Sequence, residues 1–374
     1  MACASTALIV GGGIAGLSAA VALARVGVHC DVVEIAEAPL GTSLGVSGRA
    51  AEALYELGVY DECYATGTPF TRDTTALHLM DAQGRLISTG PQRPVWPGAK
   101  TALGVYRPVL LDILAGAARR LGAEVTIGIT ARTIDDRDDG VFVIFSDGGQ
   151  RRYDFIVAAD GIGSGTRERI FPSAPKPVYA GQISLRWMAP GPPIQGEGWY
   201  LGPVGRVGFY HLPQGVYVPA VISAADWVRR TDAEAYSLFT RLLDSYTAPA
   251  VVELRRRLTP ESELVCRPFE WILLPEPWHT GRAILIGDAA HATTAHMGMG
   301  GGMALEDAVV LAQCVAAAST LTEAFNTFMT RRFGRVSTVV QTSVALSQLE
   351  QIKAPPSENV TLLSSAFKTL AQPY

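Results

Sequence analysis

The sequence predicts an α/β fold. A parallel-stranded, dinucleotide-type domain is interleaved with a mostly antiparallel sheet, and long helices follow at the C-terminal end. Three observations predict it. A glycine-rich turn joins a β-rich run to an apolar helix within the first 34 residues. From about 176 to 274 the chain breaks into short β-rich runs, "GQISLRWMA", "GWYLG", "RVGFYHL" and "GVYVPAVIS", divided by Gly and Pro. Strand-and-loop texture then returns at "RAILIGDAAH", before two long helical patterns. The outer thirds share one character and the middle another. Residues 1–70, 100–175 and 275–345 are expected to form one discontinuous domain. Residues 71–99 and 176–274 are expected to form a second, with 346–374 as a helix end and tail.

"ALIV" at 7–10 reads as a buried parallel strand. Gly11-x-Gly13-x-x-Gly16 follows at once. The first glycine permits a tight turn, the second lets backbone approach a pyrophosphate, and the third packs helix against strand. A helix over about 14–26 aims its free N–H groups at the phosphates. "CDVVE" ends in Glu34, where a ribose-binding carboxylate belongs. A structural glycine turn is the bland reading, and the order strand, helix, strand, acid argues against it. NAD and FAD share this fingerprint, so the loop alone leaves the dinucleotide open. No Lys or Arg precedes Arg25, which argues against a secretory leader. Gly11, Gly12, Gly13 and Gly16 argue against a membrane span over 6–28.

Residues 45–59 read as a loop entering a helix. Residues 76–89 read as a hairpin around Gln83-Gly84, and 91–98 as a Pro-rich excursion. A helix is expected over 107–121, then strands at "EVTIG", "VFVIFS" and "FIVAA". Two helices are expected over about 232–257, and longer ones over 302–318 and 321–351. Pro355-Pro356 stop the last of these, leaving a loosely docked tail.

A chain of 374 residues can hold two sizeable cores. With 48% hydrophobic and 18% charged residues it has an ordinary α/β composition. A net charge of −4 gives no electrostatic case for nucleic acid or anionic membrane. The five cysteines are scattered without C-x-x-C, so neither a disulfide framework nor a metal site is implied. A reducing cytoplasm is the expected location.

Two further motifs place an acid at a strand end, where α/β proteins bind ligands. They are Asp160-Gly161 in "DFIVAADGIGSGTR" and Gly287-Asp288 in "GRAILIGDAAH". Either acid alone serves equally well as a helix cap. With the glycine loop, however, they form an ordered set. The chain resembles the FAD-dependent aromatic hydroxylases, the p-hydroxybenzoate-hydroxylase-like, single-component class A flavoprotein monooxygenases. The resemblance spans nearly the whole chain and is most specific at 8–34, 106–111, 154–167 and 281–308.

The resemblance implies a Rossmann-like FAD/NAD(P)-binding domain and a set of cofactor contacts. Gly11, Gly13, Ala15 and Gly16 would hold the FAD pyrophosphate, and Glu34 the adenosine ribose. Arg107 would lie against the cofactor. Asp160 and Gly161 would sit near FAD and the reduced pyridine nucleotide, and Asp288 at the ribityl or phosphate region. Gly298, Gly300, Gly301, Gly302 and Met303 would face the isoalloxazine, where a helix N-terminus stabilises negative charge on reduced flavin. The family's proline four residues after the His of "GDAAH" is Ala295 here, so that loop lacks proline's rigidity.

The implied chemistry uses NADH or NADPH to reduce FAD and O2 to form a flavin C4a-hydroperoxide. An electron-rich ring takes up its distal oxygen in a pocket that excludes water. An FAD-dependent oxidase or dehydrogenase on the same fold, without oxygen insertion, is the alternative. The pocket is expected between flavin and the middle sheet, lined by Arg186, Trp187, Tyr200, Phe209, Tyr217 and Met297. His211 and His296 are the candidate catalytic residues, His211 as a phenol-deprotonating base. His291 is expected to orient its loop. The expected partner is a small aromatic or heteroaromatic substrate, with no nucleic acid and no membrane span. A homodimer is left open.

Overall fold

Apolar runs form the central strands, and both faces of those strands are buried, as a parallel sheet requires. The computed structural model describes residues 2–36, 42–70, 78–91 and 95–374. Thr6–Val10 pairs in parallel with His29–Glu34 on one side and Phe155–Ala158 on the other. Glu124–Ile127 and Ala283–Leu285 extend the sheet in parallel, and His279–Thr280 closes one edge antiparallel. Alternation sends Ala7, Ile9, Phe155 and Val157 into the main core, against helices Ile14–Arg25, Arg107–Arg120 and Gly300–Ala317. Leu8, Val10 and Ile156 face the other way. They pack on Val141 and Val143 of an antiparallel sheet formed by Ala131–Arg137, Gly140–Phe145 and Gln150–Tyr153. The outer strands of that small sheet carry charged faces, and nothing in the sequence reading anticipated them.

Residues 6–28 divide into strand, turn and a helix ending at Arg25. Among the described residues, only Gly300–Ala317 is long and apolar enough to cross a membrane, and most of it is buried in the main core.

The middle region forms a seven-stranded sheet. Its order is Leu264–Trp271, Val178–Ala189, Gly215–Ser223, Gly205–Leu212, Gly198–Leu201, His78–Met80 and Leu86–Thr89. All neighbours are antiparallel except Gly198–Leu201 beside His78–Met80. The hairpin expected over 76–89 supplies the last two strands; residues 76 and 77 lie outside the described residues, as do 92–94 of the Pro-rich stretch. Helices Asp232–Leu243 and Pro249–Arg257 cover one face and create a second core with Leu185, Val207, Val218 and Phe239. The opposite face turns toward the dinucleotide-type domain.

The C-terminal expectation needs correcting. Pro356 does not leave a loose tail; it starts a further helix, Pro356–Leu370. Proline suits the first helical turn, where its missing N–H has no partner to lose. Leu363, Ala366, Phe367 and Leu370 share one helical face and enter the main core. Arg335 donates to the carbonyls of Leu370 and Gln372, and Arg331 to that of Tyr374, which fixes the chain beyond the helix.

Candidate active site

The glycine loop owes its glycines to two different causes. Gly11 has φ +112°, and a Cβ there would lie 2.3 Å from the Ala159 carbonyl oxygen. A Cβ on Gly16 would lie 1.8 Å from the Gly11 oxygen. Both are dictated by packing. Gly13 differs: it is the N-cap of helix Ile14–Arg25 without a side-chain cap, and a Cβ there would meet nothing within 4 Å. Free N–H groups therefore face open space, the arrangement that receives an anion. Glu34 closes the far side. Its carboxylate accepts the Gly12 N–H at 2.7 Å and the Ala36 N–H at 3.0 Å.

At the second motif, Gly161 has φ +80° with open space beside it. Both Asp160 oxygens are engaged within the chain, accepting from the Ser164 hydroxyl and, at 2.9 Å, from the Thr166 N–H. Arg167, which the sequence reading passed over, is buried. It donates to Ala289 O and Ile162 O at 2.9 and 2.7 Å, tying this loop to the third motif.

At that motif Gly287, with φ +57°, packs directly on Ala15. Asp288 opens the short helix Asp288–His291. It is exposed by surface area, yet burial raises its carboxyl above the ordinary range, against the pull of His291, Arg107 and Arg186. A side chain that keeps access to solvent while protein crowds around it borders a recess. Arg107 faces the same recess. Burial lowers its guanidinium pKa while Asp288 and Glu34 oppose the shift and Arg186 adds to it. Its buried Nε has no hydrogen-bond partner among the described residues. Arg107, Arg186 and Asp288 thus converge.

His291 points away from the recess. Its Nε2 lies 2.6 Å from Asp307 Oδ2, which also accepts the Gly287 N–H at 2.9 Å. Arg332 donates to the other Asp307 oxygen at 2.8 Å.

The middle sheet divides the expected pocket residues by parity. Directly opposed residues share a face. Arg186, Met188, Tyr210, Tyr217 and Arg206 stand on the face toward the recess. Trp187, Tyr200, Phe209 and His211 stand on the other. There Trp187 meets Phe239 edge-on, Tyr200 stacks on Phe209, and all four aromatics are buried in the second core. His211 accepts the Ile194 N–H at 2.8 Å and meets Glu197 at 2.5 Å. These four are withdrawn from the pocket. Tyr210, which sequence reasoning missed, takes the place of its neighbours. It meets Phe70 and Tyr217 edge-on.

The flavin-loop residues also separate. Ala295 and Gly298 are exposed, and Gly298 has φ +62°. Met297 and Met303 are 3% and 1% exposed and belong to the main core. A Cβ on Gly301 would crowd Leu44 at 3.1 Å and one on Gly302 would crowd Ala50 at 2.9 Å, so helix packing explains those two glycines. Gly300 is half-buried at the helix start. The His296 side chain is only 2% exposed, held by Thr294, Glu350 and the edge of Phe269. It does not reach the recess as a catalytic group must.

An uncapped glycine loop, a third-motif acid and an unpartnered arginine around one recess define an α/β dinucleotide-binding enzyme. The FAD binding domain family matches residues 4–188 and 270–343. Over 92% of its length the chain is 31% identical to an aurachin C monooxygenase/isomerase from Stigmatella aurantiaca, covering 90% of that protein. It is 30% identical to an FAD-dependent urate hydroxylase from Klebsiella oxytoca, over 89% of this chain and 87% of that one. Its fold superimposes on Klebsiella pneumoniae HpxO complexed with FAD and uric acid with a TM-score of 0.80, at 24% identity, covering 98% of this chain and 92% of that one. The chain belongs to the FAD binding domain family and, within it, to the class A FAD-dependent aromatic hydroxylases. It is an oxidoreductase, a flavoprotein monooxygenase that uses FAD, NAD(P)H and O2.

Proposed function

We propose that this enzyme hydroxylates a small aromatic or heteroaromatic compound held between loop 292–300 and the face of the middle sheet that carries Arg186, Tyr210 and Tyr217. The observation that carries the reading is the convergence of Arg107, Arg186 and Asp288 on one recess beside that face. The residues fit FAD. The free N–H groups beyond Gly13 suit its pyrophosphate, the unpartnered Arg107 Nε suits an acceptor on the cofactor, and Asp288 suits a ribityl hydroxyl. Glu34 suits the adenosine ribose, and Asp160 and Gly161 shape the neighbouring wall. Bound FAD supplies the redox chemistry, taking a hydride from NAD(P)H and activating O2.

The protein contributes orientation and exclusion of water. Tyr210 and Tyr217, set edge to face at 5.2 Å, offer an aromatic wall to a planar ring. Burial raises both phenols above their ordinary pKa, so they stay protonated and donate hydrogen bonds. Arg186, steadied by a bond from its Nε to Ser184 Oγ at 2.9 Å, directs a cation at the recess and favours a phenolate or other electron-rich acceptor. The N–H groups at the start of Gly300–Ala317 favour negative charge on the reacting cofactor. All five cysteines are free, in keeping with a reducing cytoplasm.

The test is a screen of phenols and heteroaromatics for stimulated NAD(P)H oxidation, with 18O2 supplied. Product that gains one labelled oxygen atom is expected. Stimulated oxidation that yields only H2O2 and dehydrogenated product, across every substrate accepted, would overturn the reading.

A further inference from the structure

The second-last residue of the long helix Leu321–Gln351, Glu350, meets both the middle sheet and loop 292–299. One oxygen of Glu350, Oε2, lies 3.0 Å from Arg206 Nε and 3.2 Å from His296 Nε2. Arg206 belongs to the sheet and stands on its recess-facing side, with the guanidinium 4.3 Å over the Trp199 ring. His296 belongs to loop 292–299. Its other ring nitrogen lies 2.9 Å from Thr294 Oγ1, and that hydroxyl donates to Ser343 O, on the same helix as Glu350. The loop is therefore fastened to the helix at two places, and the sheet is fastened to the same carboxylate.

We infer that Glu350 is a positioning residue for hydroxylation: its carboxylate holds the flavin-facing loop through His296 and the substrate sheet through Arg206, and supplies the restraint that Ala295 does not. This rests on the proposal that loop 292–300 faces the flavin. Burial pushes the Glu350 carboxyl up, but Arg206 and His296 outweigh it and hold it below the usual range, so it is ionised at neutral pH. The ionised carboxylate attracts both nitrogens at ion-pair distance, and neither Arg206 Nε nor His296 Nε2 has another partner among the described residues. Gln182 closes the same cluster from strand Val178–Ala189, bonded through its Oε1 to Ser347 Oγ at 2.6 Å. Position 295 makes the restraint necessary. Ala295 is exposed, and the loop's one internal backbone bond there runs from the Gly298 N–H to Ala295 O at 3.0 Å.

The experiment compares FAD-loaded wild type with Glu350→Gln, which keeps the volume and removes the charge. Hydrogen exchange over 292–299 is expected to rise about tenfold, the size of losing one part-buried charged contact, while strand 6–10 stays unchanged. The visible spectrum of bound FAD should shift. The ratio of hydroxylated product to H2O2 should fall severalfold, with substrate KM within about twofold. His296→Ala should reproduce these changes, and the double variant should add little to either. Unaltered loop exchange and spectrum in FAD-loaded Glu350→Gln would overturn the inference, as would full additivity with His296→Ala. Gly298→Ala separates this failure from that of the underlying proposal, because it strains the loop directly at φ +62°. If Gly298→Ala leaves the flavin spectrum unchanged, the loop does not face the flavin. If it shifts the spectrum and Glu350→Gln does not, the Glu350 inference alone falls.

Discussion

Asp288 has a cost that its neighbours do not cancel. Burial raises its carboxyl from 3.8 in spite of His291, Arg107 and Arg186. A raised acid binds its proton more tightly in the fold than in the unfolded chain. Stability is therefore fully present below about 3.8 and is lost as pH rises through the raised value. We predict that Asp288→Asn makes the FAD-free protein more thermostable at pH 7, with the gain vanishing at pH 3, while FAD retention falls. Asp147→Asn, in an exposed turn where Asp147 accepts the Gly149 N–H, should leave retention unchanged. A thermal melt with and without FAD checks both, and equal retention in the two variants would reduce the third motif to a structural role. At this scale the sequence was legible where close packing fixes residue type, as at Gly11 and Gly16. It was illegible where only parity mattered. "RVGFYHL" alternates, but both of its faces carry aromatics, so the sequence does not say whether Phe209 and His211 or Tyr210 faces the substrate. Two helices more than twenty residues downstream bury the Phe209 face, which leaves Tyr210 on the other.

Between elements, the fastening of helix Gly300–Ala317 to Leu321–Gln351 is ionic and dry. Arg332 bonds Asp307 and Glu306 at 2.8 and 2.7 Å, and Arg335 adds two bonds to Glu306. Asp307 also carries the Gly287 N–H, so the cluster sets the backbone from which Asp288 projects. Burial pushes the Asp307 carboxyl up, but His291 and Arg332 outweigh it and hold it down to about 2. This depressed acid contributes stability above about 3.8 that is lost as pH falls toward about 2. We predict that Arg332→Met costs roughly 3–5 kcal/mol at pH 7, because it strands buried carboxylates, and costs progressively less as pH falls through that window. Urea unfolding across pH measures it; a pH-independent cost would show that lost packing, not charge, is responsible. Nothing in the helical periodicity announced this cluster, since Glu306, Asp307, Arg332 and Arg335 read equally well as a solvated face. Position 295 lies in the loop between Asp288–His291 and Gly300–Ala317. Proline at 295 would fix φ near −65° and remove an N–H that makes no backbone bond among the described residues. We predict that Ala295→Pro raises the ratio of hydroxylated product to H2O2 with little change in substrate affinity. An unchanged ratio in the FAD-loaded variant would exclude loop mobility as a source of uncoupling.

At the scale of the whole molecule, the main core and the second core lie on opposite sides of the middle sheet. The interleaving was legible because composition changes twice along the chain, and the long C-terminal helices because their periodicity is sustained. The docked helix Pro356–Leu370 was not, because proline stops one helix and starts the next with equal ease, and only tertiary contact distinguishes the outcomes. The main core surrounds the recess: Ile14, Ala15, Ala289, Ala290 and Met303 pack within it, and the loops that would hold FAD grow from its strands. The second core, between the sheet and helices Asp232–Leu243 and Pro249–Arg257, lies on the far side of the sheet from the recess. A ligand that binds only the native state stabilises what it touches, by about 2.7 kcal/mol when free FAD stands at about 100 times its Kd. FAD should therefore slow hydrogen exchange most at 11–16, 286–300 and the start of Arg107–Arg120. Exchange over 232–257 should slow only to the extent that the whole chain unfolds as one unit. We predict two behaviours in one protein: a large FAD-dependent protection of the glycine loop and the third motif, and an almost FAD-independent local opening of the two helices behind the sheet. Exchange mass spectrometry of apo and FAD-loaded protein distinguishes them. Equal added protection in both regions would mean that the cores unfold together and that the sheet transmits cofactor binding across its full thickness.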